Sequence, residues 1–118
     1  MLAEYKNDNE KTAMGLLSYL PDFKNLQNLQ EEIQLNRDSD DFKLYLYKDN
    51  HSNYIGVVGT QINDRFIVVR YISLAPGFRE KKYEVDILRD LIKAHPGEKV
   101  TTVPEYTYLI KYLDKPNE

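Results

Sequence analysis

The sequence contains no cysteine among its 118 residues. This absence excludes disulfide bonds, thiolate nucleophiles and cysteine-ligated zinc. Small secreted domains usually depend on disulfides, so nothing in the composition points to secretion. The N-terminal stretch MLAEYKNDNEK also lacks the apolar core of a signal peptide. We therefore expect a cytoplasmic protein.

Long apolar runs and an excess of basic residues are also missing. No run approaches the roughly 20 apolar residues of a membrane-spanning helix. The formal net charge is −3, and the nearest basic cluster, Arg79, Lys81 and Lys82, is interrupted by Glu80 and Glu84. Nucleic-acid binding requires Lys and Arg gathered on one face. Neither a membrane nor a nucleic acid is an expected partner.

Patterns that bind metals are sparse as well. His51 and His95 are the two histidines, and neither has a second one at ligand spacing. The acidic run DSDD at 38–41 lacks the glycine and the terminal glutamate of a calcium loop. The sequence therefore predicts no metal site.

Apolar residues recur at helical spacing in two N-terminal segments and in one segment after Pro76 and Gly77. The first segment ends at Pro21, and Asp22 is the predicted N-cap of the second. The predicted buried positions are Ala13, Leu16, Leu17 and Leu20 in the first helix, Phe23, Leu26, Leu29 and Ile33 in the second, and Val85, Leu88, Leu91 and Ile92 in the third.

Strand signals fill most of the rest. Residues 42–47 alternate as a half-buried strand should, and short turns join this segment to β-rich segments at 54–62 and 65–74. Residues 2–5 predict a short first strand. Residues 99–103 predict a strand parallel to 65–74, because a helix connects the two, and 104–115 a last helix. The order β-α-α-β-β-β-α-β-α, in a length typical of one domain spanning 1–118, indicates an α/β fold with a mixed sheet of about five strands.

That order, together with the segment YISLAPGFREKKYEVDILRDLIKAH, resembles the GNAT-type N-acetyltransferases. In that family a strand ends in an apolar residue, then x-Pro, then Arg/Gln-x-x-Gly-x-Gly/Ala opens a helix. Leu74, Pro76 and Arg79 match the pattern in step. Within the family, KTAMGLLSYLPDFKNLQNLQ and VPEYTYLIKYL are similar to the small RibT acetyltransferases encoded with riboflavin-biosynthesis genes. The resemblance implies the acyl-CoA N-acyltransferase fold with helices on both sheet faces, acetyl-CoA as acyl donor, and a small-molecule or protein amine as acceptor.

The resemblance also implies which residues form the site. The loop would bind the pyrophosphate of coenzyme A through its main chain, the preceding strand would bind the pantetheine arm, and a tyrosine would protonate the leaving thiolate. The implied residues are Arg79, Glu80, Lys81, Lys82, Tyr83 and Glu84 in the loop, Ile72, Ser73 and Leu74 in the strand, and Tyr112 as the acid.

Two of these positions depart from the family pattern, because Lys82 and Glu84 stand where the loop has glycines. Lys82 offers an ammonium group to a phosphate, whereas a carboxylate at Glu84 repels one. Glu84 is equally well explained as a residue that complements the helix dipole. Ile72–Leu74 is equally well explained as a plain buried strand. Tyr112 is one of 10 tyrosines, and any single tyrosine more often packs than catalyses.

The family also continues into two further C-terminal strands, where this sequence has only DKPNE. The C-terminal hairpin is therefore expected to be truncated. The acceptor pocket would then be shallow or completed by a second copy of the chain, which predicts a possible homodimer.

Three functions stay open on this basis. The first is an acetyl-CoA-dependent N-acetyltransferase, possibly associated with riboflavin biosynthesis. The second is a non-catalytic protein of the same fold, with a degenerate cofactor loop, that acts through protein contacts or regulation. The third is an unrelated α/β binding module, which the loop spacing disfavours.

Overall fold

The computed structural model describes residues 1–113. Strands, α-helices and 3₁₀ segments follow one another in the predicted order. They are β1 (Leu2–Glu4), a 3₁₀ turn (Asn7–Asn9), α1 (Glu10–Leu17), a 3₁₀ turn (Pro21–Phe23), α2 (Leu26–Asp38), β2 (Phe42–Lys48), β3 (Tyr54–Asn63), β4 (Phe66–Leu74), α3 (Lys81–Ala94), β5 (Lys99–Thr102) and a tyrosine-rich 3₁₀ helix (Pro104–Tyr112). The last two residues of the predicted final helix and the rest of DKPNE lie outside the described residues.

The strands form one sheet in the order β1-β2-β3-β4-β5. The first four are antiparallel to their neighbours, and β5 is parallel to β4. This is the predicted mixed sheet of five strands, and the parallel pair follows from the crossover through α3. No helix within residues 1–113 is both long enough and apolar enough to span a membrane.

Helices cover both faces of the sheet, so the prediction that β2 is half-buried is wrong. Leu44 and Leu46 pack under α1 and α2, whereas Tyr45 and Tyr47 pack under α3. All four side chains are buried. The strict alternation of β2 therefore separates two apolar layers, with tyrosines facing one and leucines facing the other.

The start of α2 also differs from the prediction. The N-cap is Asn25 and not Asp22, because the Asn25 side chain accepts hydrogen bonds from the backbone N–H groups of Gln27 (2.8 Å) and Asn28 (3.2 Å). Pro21 instead starts a separate 3₁₀ turn. Leu26, at the first position of the shifted helix, is 61% exposed. The buried stripe of α2 consists of Leu29, Glu32 and Ile33.

On α3 the buried stripe is Val85, Ile87, Leu88 and Leu91. The prediction for Ile92 is wrong, since its side chain is 40% exposed, whereas Ile87 is fully buried. Ile92 lies at the margin of the stripe, where it lines a surface cavity together with the exposed Phe66. The buried face of α3 thus extends to Ile87 and not to Ile92, while Val85, Leu88 and Leu91 are buried as predicted.

Candidate active site

The candidate site lies where β4 parts from β5. The two strands pair from Phe66 opposite Lys99 to Val69 opposite Thr102, where β5 ends. Beyond Val69, β4 remains paired with β3 as far as Leu74. Within residues 1–113 no strand pairs with the other edge of Ile72–Leu74. A gap therefore opens along one edge of an otherwise regular strand.

Two side chains form hydrogen bonds with backbone groups on this open edge. The Ile72 N–H donates to the hydroxyl of Tyr106 (3.2 Å), and Nε of Arg79 donates to the carbonyl oxygen of Leu74 (3.0 Å). Alternate residues of a strand direct their hydrogen-bonding groups to the same side. Ile72 and Leu74 thus present to the gap the groups that a further strand, or an extended ligand, would use.

A cleft of about 250 Å³ follows this edge. Of the predicted site residues it brings together Ile72, Ser73, Leu74, Arg79 and Glu84, and its other walls are Tyr19 and Leu20. The Arg79 guanidinium lies over the Tyr19 ring, 5.0 Å from its centre. The hydroxyl of Ser73 points to α1 and donates to the Leu16 carbonyl (2.6 Å).

The N-terminus of α3 borders the cleft. Gly77 has φ of +91° and turns the chain between β4 and α3, a conformation that favours glycine. Glu80 is the N-cap, and within residues 1–113 its side chain makes no capping hydrogen bond to the first backbone N–H groups of α3. Lys81 and Lys82 are exposed beside them, and the ring of Tyr83 packs edge-on against Phe78. An uncapped helix N-terminus flanked by two ammonium groups attracts anions.

Glu84 stands against this trend, because it is an acidic residue among those that line the cleft. Both of its carboxylate oxygens accept from the Tyr108 hydroxyl (3.0 and 3.1 Å). Burial raises the pKa of Glu84 above its ordinary value, although Tyr108 and the charge of Lys81 act in the opposite direction. Burial and this carboxylate together raise the pKa of Tyr108 to about 12.

The structure separates Tyr112 from the cleft. Its hydroxyl accepts from Nζ of Lys81 (2.7 Å), and its side chain lines a different cavity, with Val85 and Arg89 of α3. The hydroxyl of Tyr106 is the one that reaches the open edge of β4. Burial raises the pKa of Tyr106, so its hydroxyl is protonated at neutral pH. Sequence reasoning passed over Tyr106, because nothing in the sequence marks Pro104–Tyr112 as a 3₁₀ helix.

A second groove, of about 500 Å³, adjoins the cleft and shares Leu20 with it. Its walls include Gln61, Arg70, Tyr71 and Tyr106. Asp22 and Glu105 stand exposed at this groove, and neither has an ion-pair partner in the described part of the chain. The charge of Arg70 is compensated by Glu32 on α2 (2.7 Å). The groove therefore favours a cation.

Sequence reasoning also passed over Glu32, Arg70 and Tyr71, although two of them carry a signal. Glu32 falls on the apolar stripe of α2, and Arg70 interrupts the apolar run of β4. A charged residue in a buried position usually has a partner. The sequence does not reveal that these residues are partners of each other, because they lie 38 residues apart.

Comparisons with known proteins identify relatives in sequence and in structure. No family model matches the chain. An uncharacterized N-acetyltransferase in the lysA 3' region of Bacillus methanolicus is 36% identical over 95 residues, which cover 77% of this chain and 78% of that protein.

Solved structures share the fold. A spermidine N-acetyltransferase SpeG chimera from Vibrio cholerae and hSSAT has a TM-score of 0.64 at 18% identity, covering 95% of this chain and 79% of that one. The aminoglycoside N-acetyltransferase AAC(6')-Iy in complex with CoA has a TM-score of 0.67 at 12% identity, covering 97% and 84%.

The mixed five-stranded sheet with helices on both faces is thus the GNAT acyltransferase fold, as predicted. The similarity to the Bacillus methanolicus protein extends to the sequence, and the chain belongs to the GNAT-type N-acetyltransferase family.

Proposed function

We propose that the protein transfers an acetyl group from acetyl-CoA to an amine. The observation that carries this proposal is the open edge of β4 at Ile72 and Leu74, which borders both the cleft and the uncapped N-terminus of α3. The open edge of β4 can pair with an extended arm that carries amide groups, and the N-terminus of α3 can bind a pyrophosphate. One neighbour with this fold was crystallised with CoA.

The residues around the cleft fit this donor in all but one respect. Arg79, Lys81 and Lys82 supply positive charge near the predicted phosphate position, and the open β4 edge supplies a donor and an acceptor. Glu84 opposes the donor, because it places an acidic side chain in the wall of the cleft that an anion would enter. We infer that binding requires Glu84 to be protonated or displaced.

The reaction is a direct transfer without a covalent enzyme intermediate. The neutral amine nitrogen forms a bond to the acyl carbon, the carbon–sulfur bond breaks, the sulfur gains one proton and the amine loses one. An acceptor nitrogen that is protonated in solution first releases a further proton to solvent. In this chain the Ile72 N–H would donate to the acyl oxygen once Tyr106 releases it. The hydroxyl of Tyr106, which then lies next to the reacting atoms, would protonate the sulfur. Family resemblance assigns that last role to Tyr112, and this remains the competing prediction.

The first test is a calorimetric titration of the protein with acetyl-CoA at low salt. We expect saturable binding, and about tenfold tighter binding by Glu84→Gln, because the variant removes a partly buried charge that repels the phosphates. Affinity of the parent should increase as the pH falls through the raised pKa of Glu84, whereas that of Glu84→Gln should change little. Glu31→Gln, an equal change of charge at an exposed position of α2, is the control.

Absence of heat and of thermal stabilisation at millimolar acetyl-CoA would contradict the proposal. That outcome would favour the second candidate function, a non-catalytic protein of this fold that acts through protein contacts or regulation. The observation favouring it is that Lys82 and Glu84 replace the loop glycines, with the Glu84 carboxylate held in the cleft by Tyr108.

For the acceptor we propose a cationic amine, on a small molecule or on a protein. Asp22 and Glu105 make the groove beside the cleft acidic, and neighbours of the same fold are named for spermidine and aminoglycosides. The RibT resemblance adds amine-bearing precursors of riboflavin to an acceptor screen. An assay of thiol release with each amine would identify the acceptor, and equal rates with and without every amine would contradict the choice.

We also propose that a second copy completes the acceptor side, as a homodimer. The outer edge of β5 has no strand partner within residues 1–113, which leaves backbone groups available for pairing. Solution scattering should give the mass of a dimer, and a monomeric mass at micromolar concentration would exclude it.

A further inference from the structure

We propose that the buried carboxylate of Glu32 is a positioning group that holds β4 in its bulged register and so keeps the acyl-donor cleft open. The expected effect of Glu32 on acetyl-CoA binding rests on the proposed function. The structural part of the inference stands on the contacts between α2 and β4.

The bulge lies at Arg70. In the pairing of β3 with β4, Gly59 is opposite Tyr71 and Thr60 is opposite Val69, so Arg70 has no residue opposite it. Successive side chains of a regular strand point to opposite faces. Here Arg70 and Tyr71 both point to α2, and both contact Glu32. Two neighbouring side chains on one face mark the extra residue of a β-bulge.

The carboxylate of Glu32 bonds to both of these residues, and the hydrogen-bond donors around it compensate its negative charge. Its side chain is 6% exposed. Arg70 donates from Nη1 (2.7 Å) and Nη2 (3.1 Å), the Tyr71 hydroxyl donates at 2.6 Å and the Asn36 amide at 3.0 Å. The Arg70 guanidinium also lies over the ring of Phe42, 4.9 Å from its centre. These donors hold the pKa of Glu32 below its ordinary value despite burial.

The bulge decides which way the rest of β4 faces. Val69, Ile72 and Leu74 belong to the apolar layer under α3, whereas Tyr71 belongs to the layer under α1 and α2. Without the bulge, strict alternation would direct Tyr71 and Ser73 to α3. The hydroxyl of Tyr71 would then enter an apolar layer, away from Glu32, at the cost of burying an unpaired polar group.

The same point is where β4 leaves β5. Their pairing ends at Val69 and Thr102, one residue before the bulge. A bulge bends its strand and increases the local twist. Ile72 and Leu74, the first alternate positions after it, are the residues whose backbone groups face the cleft. Glu32 therefore acts on the cleft through Arg70 and Tyr71 and does not itself line it.

Three variants test the inference. Tyr71→Phe removes one hydrogen bond to Glu32, and Glu32→Gln removes its charge while keeping its shape. Tyr45→Phe is the matched control, because it also deletes a buried, hydrogen-bonded hydroxyl, but in the layer under α3, where the partner is His95 (3.0 Å). All three should lower the free energy of unfolding.

The positioning role is read from two other measurements, made below the melting temperature of each variant. We expect Tyr71→Phe and Glu32→Gln to shift the NMR amide signals of Ile72 and Leu74 and to weaken acetyl-CoA binding about tenfold. Tyr45→Phe should do neither. If Glu32→Gln does not fold, Tyr71→Phe still decides the question.

Unchanged amide signals and unchanged acetyl-CoA affinity in Tyr71→Phe would overturn the inference, because the hydrogen bond would then contribute only to stability. If the parent itself binds no acetyl-CoA, the proposed function fails. The amide signals of Ile72 and Leu74, which are measured without ligand, still show whether Glu32 holds the bulge.

Discussion

Replacement of Tyr106 by phenylalanine is expected to lower kcat for acetyl transfer about a hundredfold, the lower end of what one proton donor contributes. The hydroxyl of Tyr106 lies at the open edge of β4, where it accepts from the Ile72 N–H. Its ring lines the neighbouring groove as well. It is therefore the tyrosine placed between the proposed donor cleft and the proposed acceptor groove.

The same substitution should not weaken binding of acetyl-CoA. Removal of the hydroxyl leaves the Ile72 N–H without its internal acceptor. The acyl oxygen of acetyl-CoA then binds to this N–H without first displacing the Tyr106 hydroxyl. A fall in kcat with an unchanged or lower KM for acetyl-CoA is the expected pattern. A higher KM with an unchanged kcat would mean that Tyr106 only shapes the cleft.

The pH dependence gives a further check. Burial raises the pKa of Tyr106, so the hydroxyl remains a proton donor through the neutral range. The kcat of the parent should fall only in the alkaline range, above the ordinary pKa of tyrosine, and Tyr106→Phe should lack that decrease. Initial rates of thiol release across this pH range measure both.

Tyr112→Phe and Tyr45→Phe complete the comparison. A loss of kcat in Tyr112→Phe, with Tyr106→Phe close to the parent, would support the assignment made by family resemblance and contradict the one made from hydroxyl positions. Tyr45→Phe removes a buried hydroxyl from the apolar layer under α3 and controls for lost stability.

Gly59→Ala is expected to lower the free energy of unfolding by about 3 kcal/mol, at the upper end of the usual cost of overpacking a core. A Cβ at Gly59 would lie 2.2 Å from Cζ and 2.5 Å from the hydroxyl oxygen of Tyr71. The end of a tyrosine ring often moves aside, but this one is buried and bound to Glu32 at 2.6 Å. Relief of the overlap therefore requires loss of a buried hydrogen bond.

Urea unfolding of Gly59→Ala beside Gly15→Ala measures the effect. Gly15 lies on the exposed face of α1, and a Cβ there would meet nothing within 4 Å. Alanine at that position should leave stability unchanged or increase it by up to about 1 kcal/mol, because alanine favours the helix. Equal stability of the two variants would contradict the close approach of Tyr71 to Gly59.

A double-mutant cycle identifies the cause. In a Tyr71→Leu background the shorter side chain leaves room for the new methyl group, so Gly59→Ala should cost much less than in the parent. The difference between the two costs is the coupling energy of the pair. Additive costs would show that Gly59 is required for another reason.

Local patterns in the sequence predicted most of the architecture. Period-two alternation at 42–47 and the helical spacing in 85–91 were sufficient to identify β2 and α3. The crossover through α3 then required β5 to run parallel to β4. Five of the nine residues predicted to bind the acyl donor line one cleft, because three of them are consecutive in β4 and the others follow in the next loop and helix. These local patterns predict the folded structure correctly, because they depend on residues that are neighbours along the chain.

Tertiary contacts decided most of the rest. The N-cap of α2 was decided locally, because Pro21 starts a 3₁₀ turn and Asn25 then bonds the first backbone N–H groups of the helix. The tyrosine-rich segment Pro104–Tyr112 became a 3₁₀ helix, in which side chains six positions apart share a face but lie about 12 Å apart along the axis. Tyr106 and Tyr112 therefore reach different places, the open edge of β4 and Lys81.

The sequence by itself determined the order of strands and helices and the crossover, because both follow from local periodicity and chain connectivity. Only the tertiary structure decided which tyrosine hydroxyl of the last helix reaches the open edge of β4 and which acid contacts Arg70 and Tyr71. Glu32 and Arg70 are 38 residues apart, and they meet because α2 covers the face of the sheet to which Arg70 points. The energy of such a contact depends on distance and burial in the folded state, which neither residue type nor spacing specifies.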